Sequence, residues 1–211
     1  MTRTIWNNRF SDRNQSQSTY DGWLEKHRDL LDGFHSYPCI DLGCGAGNDT
    51  AYLTSTGMSV FSMDYSISAL NQAKARNPKG LFLADLRSIP VRRNCVGVAI
   101  ANLSLHYFDE SETRAIGEAI RDILVPGGYL MLRVNSITDV NFGADGSHRN
   151  IVDGITKYYY TEDVLRHYLD MFTFVRISEY TTTCYGKPKA VIEGVLRKAG
   201  EPGGHYLKMD E

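Results

Sequence analysis

Hydrophobic positions along the chain fall into short blocks separated by polar and glycine-rich breaks. Residues 1–18 are polar and aperiodic apart from Ile5, Trp6 and Phe10. Tyr20, Trp23, Leu24, His27, Leu30 and Leu31 then recur at helical spacing, which predicts an amphipathic helix capped at Ser18 or Thr19. The apolar run 39–42 follows Pro38 and stops at glycines, as a buried strand does, and 48–56, closed by Gly57, reads as a helix. A second strand–helix unit follows: 59–63 alternates, Asp64 ends it, and Ile67, Leu70 and Ala73 begin a helix that stops near Asn77 and Pro78. Residues 80–84, ended by Asp85, form a third strand, and the longest apolar run, 96–103, fits a central strand buried on both faces. Behind Asp109 and Glu112, spaced as a capping box, Ala115, Ile116, Ala119, Ile120, Ile123 and Leu124 share one helical face. Pro126, Gly127 and Gly128 predict a tight turn into a fifth strand at 129–134.

Strands alternating with helices predict an α/β protein with a doubly wound, mostly parallel sheet and right-handed crossovers. The pattern changes after residue 134. Residues 135–160 hold Gly143, Gly146 and Gly154 without a clear period, and a stretch of that length inside a compact domain predicts a substrate-side loop. A helix at 161–169 precedes two strands, 173–180 and 190–197, joined by a loop with Gly186 and Pro188 as a C-terminal antiparallel hairpin. One domain over 1–198 is expected, with 1–36 as an N-terminal helical cap and 199–211 as a disordered tail.

Composition narrows the function classes. Lys plus Arg total 23 against 25 Asp plus Glu, a net charge of −2, so no positive field gathers nucleic acid or an anionic membrane. Cys39, Cys44, Cys95 and Cys184 show no paired spacing and no nearby His, which predicts free thiols in a reducing compartment and no zinc site. No apolar run reaches the roughly 20 residues of a membrane span, and residues 1–10 are polar; a soluble cytoplasmic protein is expected.

The chemistry concentrates at strand ends. Asp41-Leu42-Gly43-Cys44-Gly45-Ala46-Gly47 lies between the first strand and its helix, where glycines allow close backbone approach to a ligand. A dinucleotide fingerprint wants its third glycine at position 48, which is Asn48, and no Gly-Lys-Ser/Thr follows for a phosphate loop, so a ligand without a pyrophosphate fits better. Asp64 and Asp85 end the next two strands; the first can accept both hydroxyl hydrogens of a ribose, and the second, with the Leu86 N–H, can face an adenine amino group. An acidic strand end is often only a turn or a helix cap, but Asp41, the glycine turn, Asp64 and Asp85 all fall on one sheet edge.

With these motifs, and with Asn102-Leu103-Ser104-Leu105-His106 and Leu124-Val125-Pro126-Gly127-Gly128 in order behind them, the segment 37–134 resembles the class I S-adenosylmethionine-dependent methyltransferases, in particular the small-molecule branch that includes tellurite-resistance and quinone-biosynthesis-like enzymes. The resemblance implies a Rossmann-like, seven-stranded sheet and S-adenosylmethionine as cofactor, with S-adenosylhomocysteine as product. It assigns the cofactor to Asp41, Gly43, Cys44, Gly45, Asp64, Tyr65, Asp85, Leu86, Asn102 and Leu103.

An activated methyl donor leaves the protein mainly to align the reactants and exclude water. His106 can serve as general base, or as a packing or cofactor-shaping residue. The family builds its acceptor pocket before the first motif and after the fifth strand, which points to Trp6, Phe10, His106 and Tyr158 on the substrate side; Tyr20 and Trp23, on a helical apolar face, read as core. Arg133 and Arg149 can hold an anionic acceptor, although charged residues beside a strand end are usually solvated. Cys44 reads as small-residue packing in preference to a reactive thiol. The fourth strand lacks the Asn/Asp-Pro-Pro-Tyr/Phe pattern of nucleic-acid amino-methyltransferases, and no acidic cluster resembles a catechol-type metal site. The expectation is a metal-independent methyltransferase for a small-molecule acceptor, with no nucleic-acid or membrane partner. The alternatives are a non-catalytic S-adenosylmethionine-binding sensor or partner protein and a NAD-dependent oxidoreductase. The oligomeric state has no signal in the sequence.

Overall fold

The computed structural model describes residues 2–11, 20–143, 146–184 and 186–200. Its elements are α1 (Arg3–Ser11), α2 (Arg28–Asp32), β1 (Cys39–Leu42), α3 (Asn48–Ser55), β2 (Val60–Asp64), α4 (Ile67–Ala73), β3 (Leu81–Leu83), β4 (Val96–Asn102), α5 (Glu110–Ile123), β5 (Leu124–Asn135), β6 (Arg149–Val152), β7 (Ile155–Tyr158), α6 (Glu162–Tyr168), β8 (Thr173–Cys184) and β9 (Lys187–Arg197). Seven strands form one sheet in the order β3-β2-β1-β4-β5-β9-β8. Its first five strands run parallel, and β9 and β8 close it antiparallel. This is the expected Rossmann-like arrangement.

Alternation along the central strands builds a core on each face. Ile40, Leu42, Ala99, Ala101, Leu130 and Leu132 turn to the face covered by Ile116, Ile120 and Ile123 of α5 and Leu165 of α6. Cys39, Val98, Ile100 and Met131 turn to the other, beneath Leu31 of α2 and Leu53 of α3. The helices start where their caps dictate: Asp109 accepts from the Glu112 N–H at 2.9 Å, and Ser66 and Thr161 cap α4 and α6 in the same way at 3.2 Å.

Several expectations need correction. The helix foreseen across 20–31 is absent as a unit: Gly22 sits at φ +77°, a 3₁₀ turn occupies Glu25–His27, and only Arg28–Asp32 is helical. The cap proposed at Ser18 or Thr19 lies outside the described residues. The segment read as aperiodic contains α1, held on α4 by Ser66 Oγ donating to Asn7 Oδ1 at 2.9 Å and by Gln72 Nε2 donating to the Phe10 carbonyl. The supposed loop 135–160 contains the β6–β7 hairpin. Pro126, Gly127 and Gly128 are absorbed in β5 as a bulge: Val96 pairs with Leu124, yet Val98 already pairs with Tyr129. Pro188 lies in β9 opposite Thr183, beyond Val191 where pairing with β5 ends, so its missing N–H breaks no ladder bond with β5. Most of the tail, 201–211, lies outside the described residues. No helix among them is long and apolar enough to cross a membrane.

Candidate active site

The carboxyl ends of β1, β2, β3 and β4 open onto a cavity of about 490 Å³, walled on its other sides by α1, the β6–β7 hairpin and the β8–β9 turn. The loop after β1 enters it through Gly43, whose φ is +79° and where a Cβ would stand 2.7 Å from the Cβ of Ser104. Gly47, at φ +80°, is the left-handed residue that turns the loop into α3, against Ala73 of α4. Between them, the Gly45 N–H donates to Asp64 Oδ2 at 2.9 Å, and the Ser66 N–H donates to Oδ1 at 2.8 Å. Burial pushes the Asp64 carboxyl up, and these N–H donors offset part of that cost. Both oxygens are thereby fixed in direction while each keeps acceptor capacity toward the cavity.

Gly43, Cys44, Gly45, Asp64, Tyr65, Asp85, Leu86, Asn102 and Leu103 are brought together on the cavity wall, as are Trp6, Phe10 and His106. Two residues of the expected set do not line it. Asp41 lies beneath the turn, 2 % exposed, where Thr50 Oγ1 donates to its Oδ2 at 2.6 Å; burial, and then the charge of Asp49, push its carboxyl up to about 8. Tyr158 turns away and packs on the α5–α6 core, because on β7 the inward position belongs to its neighbour Lys157. Asp85 is on the wall but is clasped by Arg87, Nε to Oδ1 at 3.0 Å and Nη2 to Oδ2 at 2.7 Å, which holds its carboxyl below the usual carboxylate range. Any ligand amino group must share Asp85 with this guanidinium. The Cys44 thiol is pushed well up by burial and by the charges of Asp41 and Asp64, so it is no thiolate nucleophile.

Sequence reasoning missed a buried polar chain. Trp23 Nε1 donates to Asp49 Oδ1 at 2.9 Å, Asn102 Nδ2 donates to Asp49 Oδ2 at 2.7 Å, and Arg133 Nε donates to Asn102 Oδ1 at 2.9 Å. Arg133 also forks onto Asp21 at 2.6 and 3.2 Å and lies over the Trp23 ring, 4.7 Å from its centroid. Far from being solvated, Arg133 is 3 % exposed. The available signal was an arginine inside the apolar run 129–134, since a charge in a buried strand has to be paired. Arg149, the other candidate, is exposed at the start of β6.

On the wall beyond β4, His106 is 1 % exposed, and among the described residues its Nδ1 has no hydrogen-bond partner; Ser104 Oγ, on the same wall, has none among them either. Burial, then the charges of Lys189, Lys157 and Arg9, hold the His106 imidazole well below its usual range and therefore neutral. Among the described residues no three His, Cys, Asp or Glu side chains gather at metal-ligand distance.

Comparison with known proteins finds similarity to methyltransferases. The methyltransferase-domain family matches residues 40–132. An uncharacterized methyltransferase of Synechocystis sp. is 29% identical over 94 residues, 44% of this chain and 44% of that protein. The malonyl-[acyl-carrier protein] O-methyltransferase of Salmonella typhimurium is 31% identical over 102 residues, 48% of this chain and 40% of that one. The matches thus span less than half the length of these curated relatives. The crystal structure of the N-methyltransferase NodS from Bradyrhizobium japonicum, in complex with S-adenosyl-L-homocysteine, superposes with a TM-score of 0.65 at 16% identity, covering 94% of this chain and 99% of that one; at that identity the likeness speaks for the fold.

Proposed function

We propose that the chain is a class I S-adenosylmethionine-dependent methyltransferase and that it transfers the methyl group of S-adenosylmethionine to a small-molecule acceptor in the cavity described above, a reading supported by the methyltransferase-domain match over residues 40–132. The observation that carries this reading is the Asp64 carboxylate, fixed by the N–H groups of Gly45 and Ser66 beside the glycine turn, the arrangement needed to receive a pair of vicinal ribose hydroxyls. The orphaned hydroxyl of Ser104 and the close approach allowed at Gly43 fit the same ligand. When bound, S-adenosylmethionine supplies a methyl group on a positively charged sulfur, already activated for in-line displacement.

The chain's own residues then bind, orient and exclude water. Asp64 takes the ribose, and Asp85 with Leu86 takes the adenine edge. The Gly43–Gly45 turn and Ser104 face the remainder, while Asp49, Asn102 and Arg133 brace the turn against β4 and β5. Trp6 and Phe10 of α1, with Tyr107, supply an aromatic wall; the Trp6 and Tyr107 rings meet edge to face at 4.7 Å between centroids. Such a wall keeps water from the reacting centre and favours a cation. His106 orients the acceptor by hydrogen bonding and does not take its proton, because an imidazolium there would be buried among three cations. A volume of about 490 Å³ lies within the span of small-ligand pockets, about 300–1,000 Å³, which supports a small acceptor over a polymer.

Calorimetric titration of S-adenosylmethionine, S-adenosylhomocysteine and NAD tests the reading. Micromolar binding of the two adenosyl ligands, about −8 kcal/mol, that collapses in Asp64→Ala is expected. Binding of NAD alone would favour an oxidoreductase. Tight adenosyl binding with a blank acceptor screen would favour a sensor.

A further inference from the structure

The cavity is bipolar. Its wall at the start of α3 and the end of β2 carries Asp49 and Asp64, whereas α1, β7 and β9 contribute Arg9, Lys157 and Lys189, with Asp153 at the hairpin corner beside them. These last three are close enough to one another, and to His106, for their charges to act together on the imidazole. Two of them lie within ion-pair distance of a carboxylate. Lys189 Nζ lies 3.7 Å from Asp139 Oδ2, an oxygen that also accepts from the Ala190 N–H at 3.0 Å. Arg9 lies 3.9 Å from Asp153.

Lys157 is different. It is 8 % exposed, it occupies the inward side of β7, and among the described residues its ammonium makes neither an ion pair nor a hydrogen bond. Burial, then the neighbouring charges of Lys189 and Arg9, pull its ammonium down to about 8, against a weaker opposing pull from the carboxylates of Asp153 and Asp139, neither of which reaches it as an ion pair. A desolvated cation beside two others is costly unless something anionic joins it. The donor does not fill that place in the reading above: its reacting sulfur brings one more positive charge, and its amino-acid carboxylate belongs with the remainder of the ligand at the Gly43–Gly45 turn and Ser104. Neither acid of the facing wall is within ion-pair distance of Lys157: Asp49 accepts from Trp23 and Asn102, and Asp64, held by Gly45 and Ser66, turns its remaining acceptor capacity to the donor's ribose in the reading above.

We propose that the methyl acceptor carries an anionic oxygen group, a carboxylate or a phosphate, which docks on Lys157 with Lys189 and Arg9 beside it. The proposal rests on the methyltransferase reading and adds the substrate class. The anion anchors one end of the acceptor against β7 and β9 and leaves its nucleophile to face the donor across the cavity. Lys157 is a specificity-determining residue in this scheme and takes no part in the bond that forms.

The test uses the full chain loaded with S-adenosylhomocysteine, titrated by calorimetry at pH 7 with phenylacetate, phenyl phosphate and the neutral phenylacetamide. At least one anion should bind while the amide does not, and the better of the two identifies the anchor group. Lys157→Met should weaken that anion roughly 30-fold or more, with S-adenosylhomocysteine binding within about twofold of the parent. Lys157→Arg, which keeps the charge, should retain the anion, and Lys79→Met, on the exposed surface, should behave as the parent. Binding of the amide as tightly as both anions overturns the anchor. So does the absence of any anion binding, or unchanged anion affinity in a folded Lys157→Met protein. Failure of the parent to bind S-adenosylhomocysteine would instead overturn the methyltransferase reading itself.

Discussion

Asn102 donates its side-chain amide to Asp49 at 2.7 Å while its amide oxygen accepts from Arg133 at 2.9 Å. An asparagine offers one donor group and one acceptor at the same terminus, which lets it join a carboxylate on one side to a guanidinium on the other. An aspartate would repel Asp49, and a leucine would strand both neighbours. Asn102→Leu is therefore expected to destabilise the fold by about 1–3 kcal/mol, read as a lower urea midpoint at unchanged slope, and to weaken S-adenosylhomocysteine binding because the loop after β1 loses its brace. Unchanged stability would show that the chain of polar groups contributes nothing net.

Gly43 and Gly186 both have positive φ, at +79° and +73°, but Gly43 faces an obstacle, with Ser104 2.7 Å from its missing Cβ, whereas among the described residues nothing lies within 4 Å at Gly186. Gly43→Ala carries strain of about 1–3 kcal/mol plus a clash, so it should melt several degrees below Gly186→Ala and lose ligand affinity. Equal melting temperatures would mean that the loop gives way at no cost.

Asp41 carries a pH signature. Its carboxyl is about 8 in the fold against 3.8 as the ordinary value, so between these limits the folded chain holds a proton that the unfolded chain has lost. The stability it contributes is complete below about 3.8, declines as pH rises, and is gone above about 8. Asp41→Asn keeps an acceptor for Thr50 and removes the titration. The stability of the variant relative to the parent should rise from pH 5 to pH 8; a flat difference would show Asp41 ionised throughout.

His106 works in the opposite sense. Because its imidazole is held neutral, below about 6.5 the unfolded chain binds a proton that the folded chain does not, and stability falls with falling pH. Ring-proton NMR of the ligand-free protein should show no His106 protonation step near 6.5, and His106→Phe should lessen acid sensitivity between pH 5 and 6.5. A titration at the ordinary value would return His106 to the role of proton acceptor.

Residues at strand ends were legible because local rules fix them. The glycine turn, Asp64 and Asp85 fall where parallel strands end, and all reach the cavity. Elements set by tertiary contact were hidden. The apolar spacing of Tyr20 to Leu31 mimics a helix, yet Gly22 breaks it, and Trp23 is held by a carboxylate from α3 instead. The β6–β7 hairpin did carry a signal, Asp153-Gly154 at φ +53° and +72° between Val152 and Ile155, but within a glycine-rich stretch without a clear period it read as one more loop position. Reading Tyr158 in place of Lys157 is a one-residue phase error, and on a strand that exchanges the two faces completely.

The two sides of α1 differ in how firmly they are fastened. Toward α4 it has Asn7, Phe10 and Ser11 hydrogen-bonded to Ser66, Gln72 and Ser68, whereas toward the β6–β7 hairpin it has the 3.9 Å pair of Arg9 with Asp153, whose carboxylate is 76% exposed. An exposed pair is worth about 0–1 kcal/mol and is screened by salt. That pair thus adds little to hold the helix against the hairpin, and parting them there disturbs no strand of the main sheet. Exchange of small molecules there should then quicken as ionic strength rises, with the sheet's melting temperature unmoved.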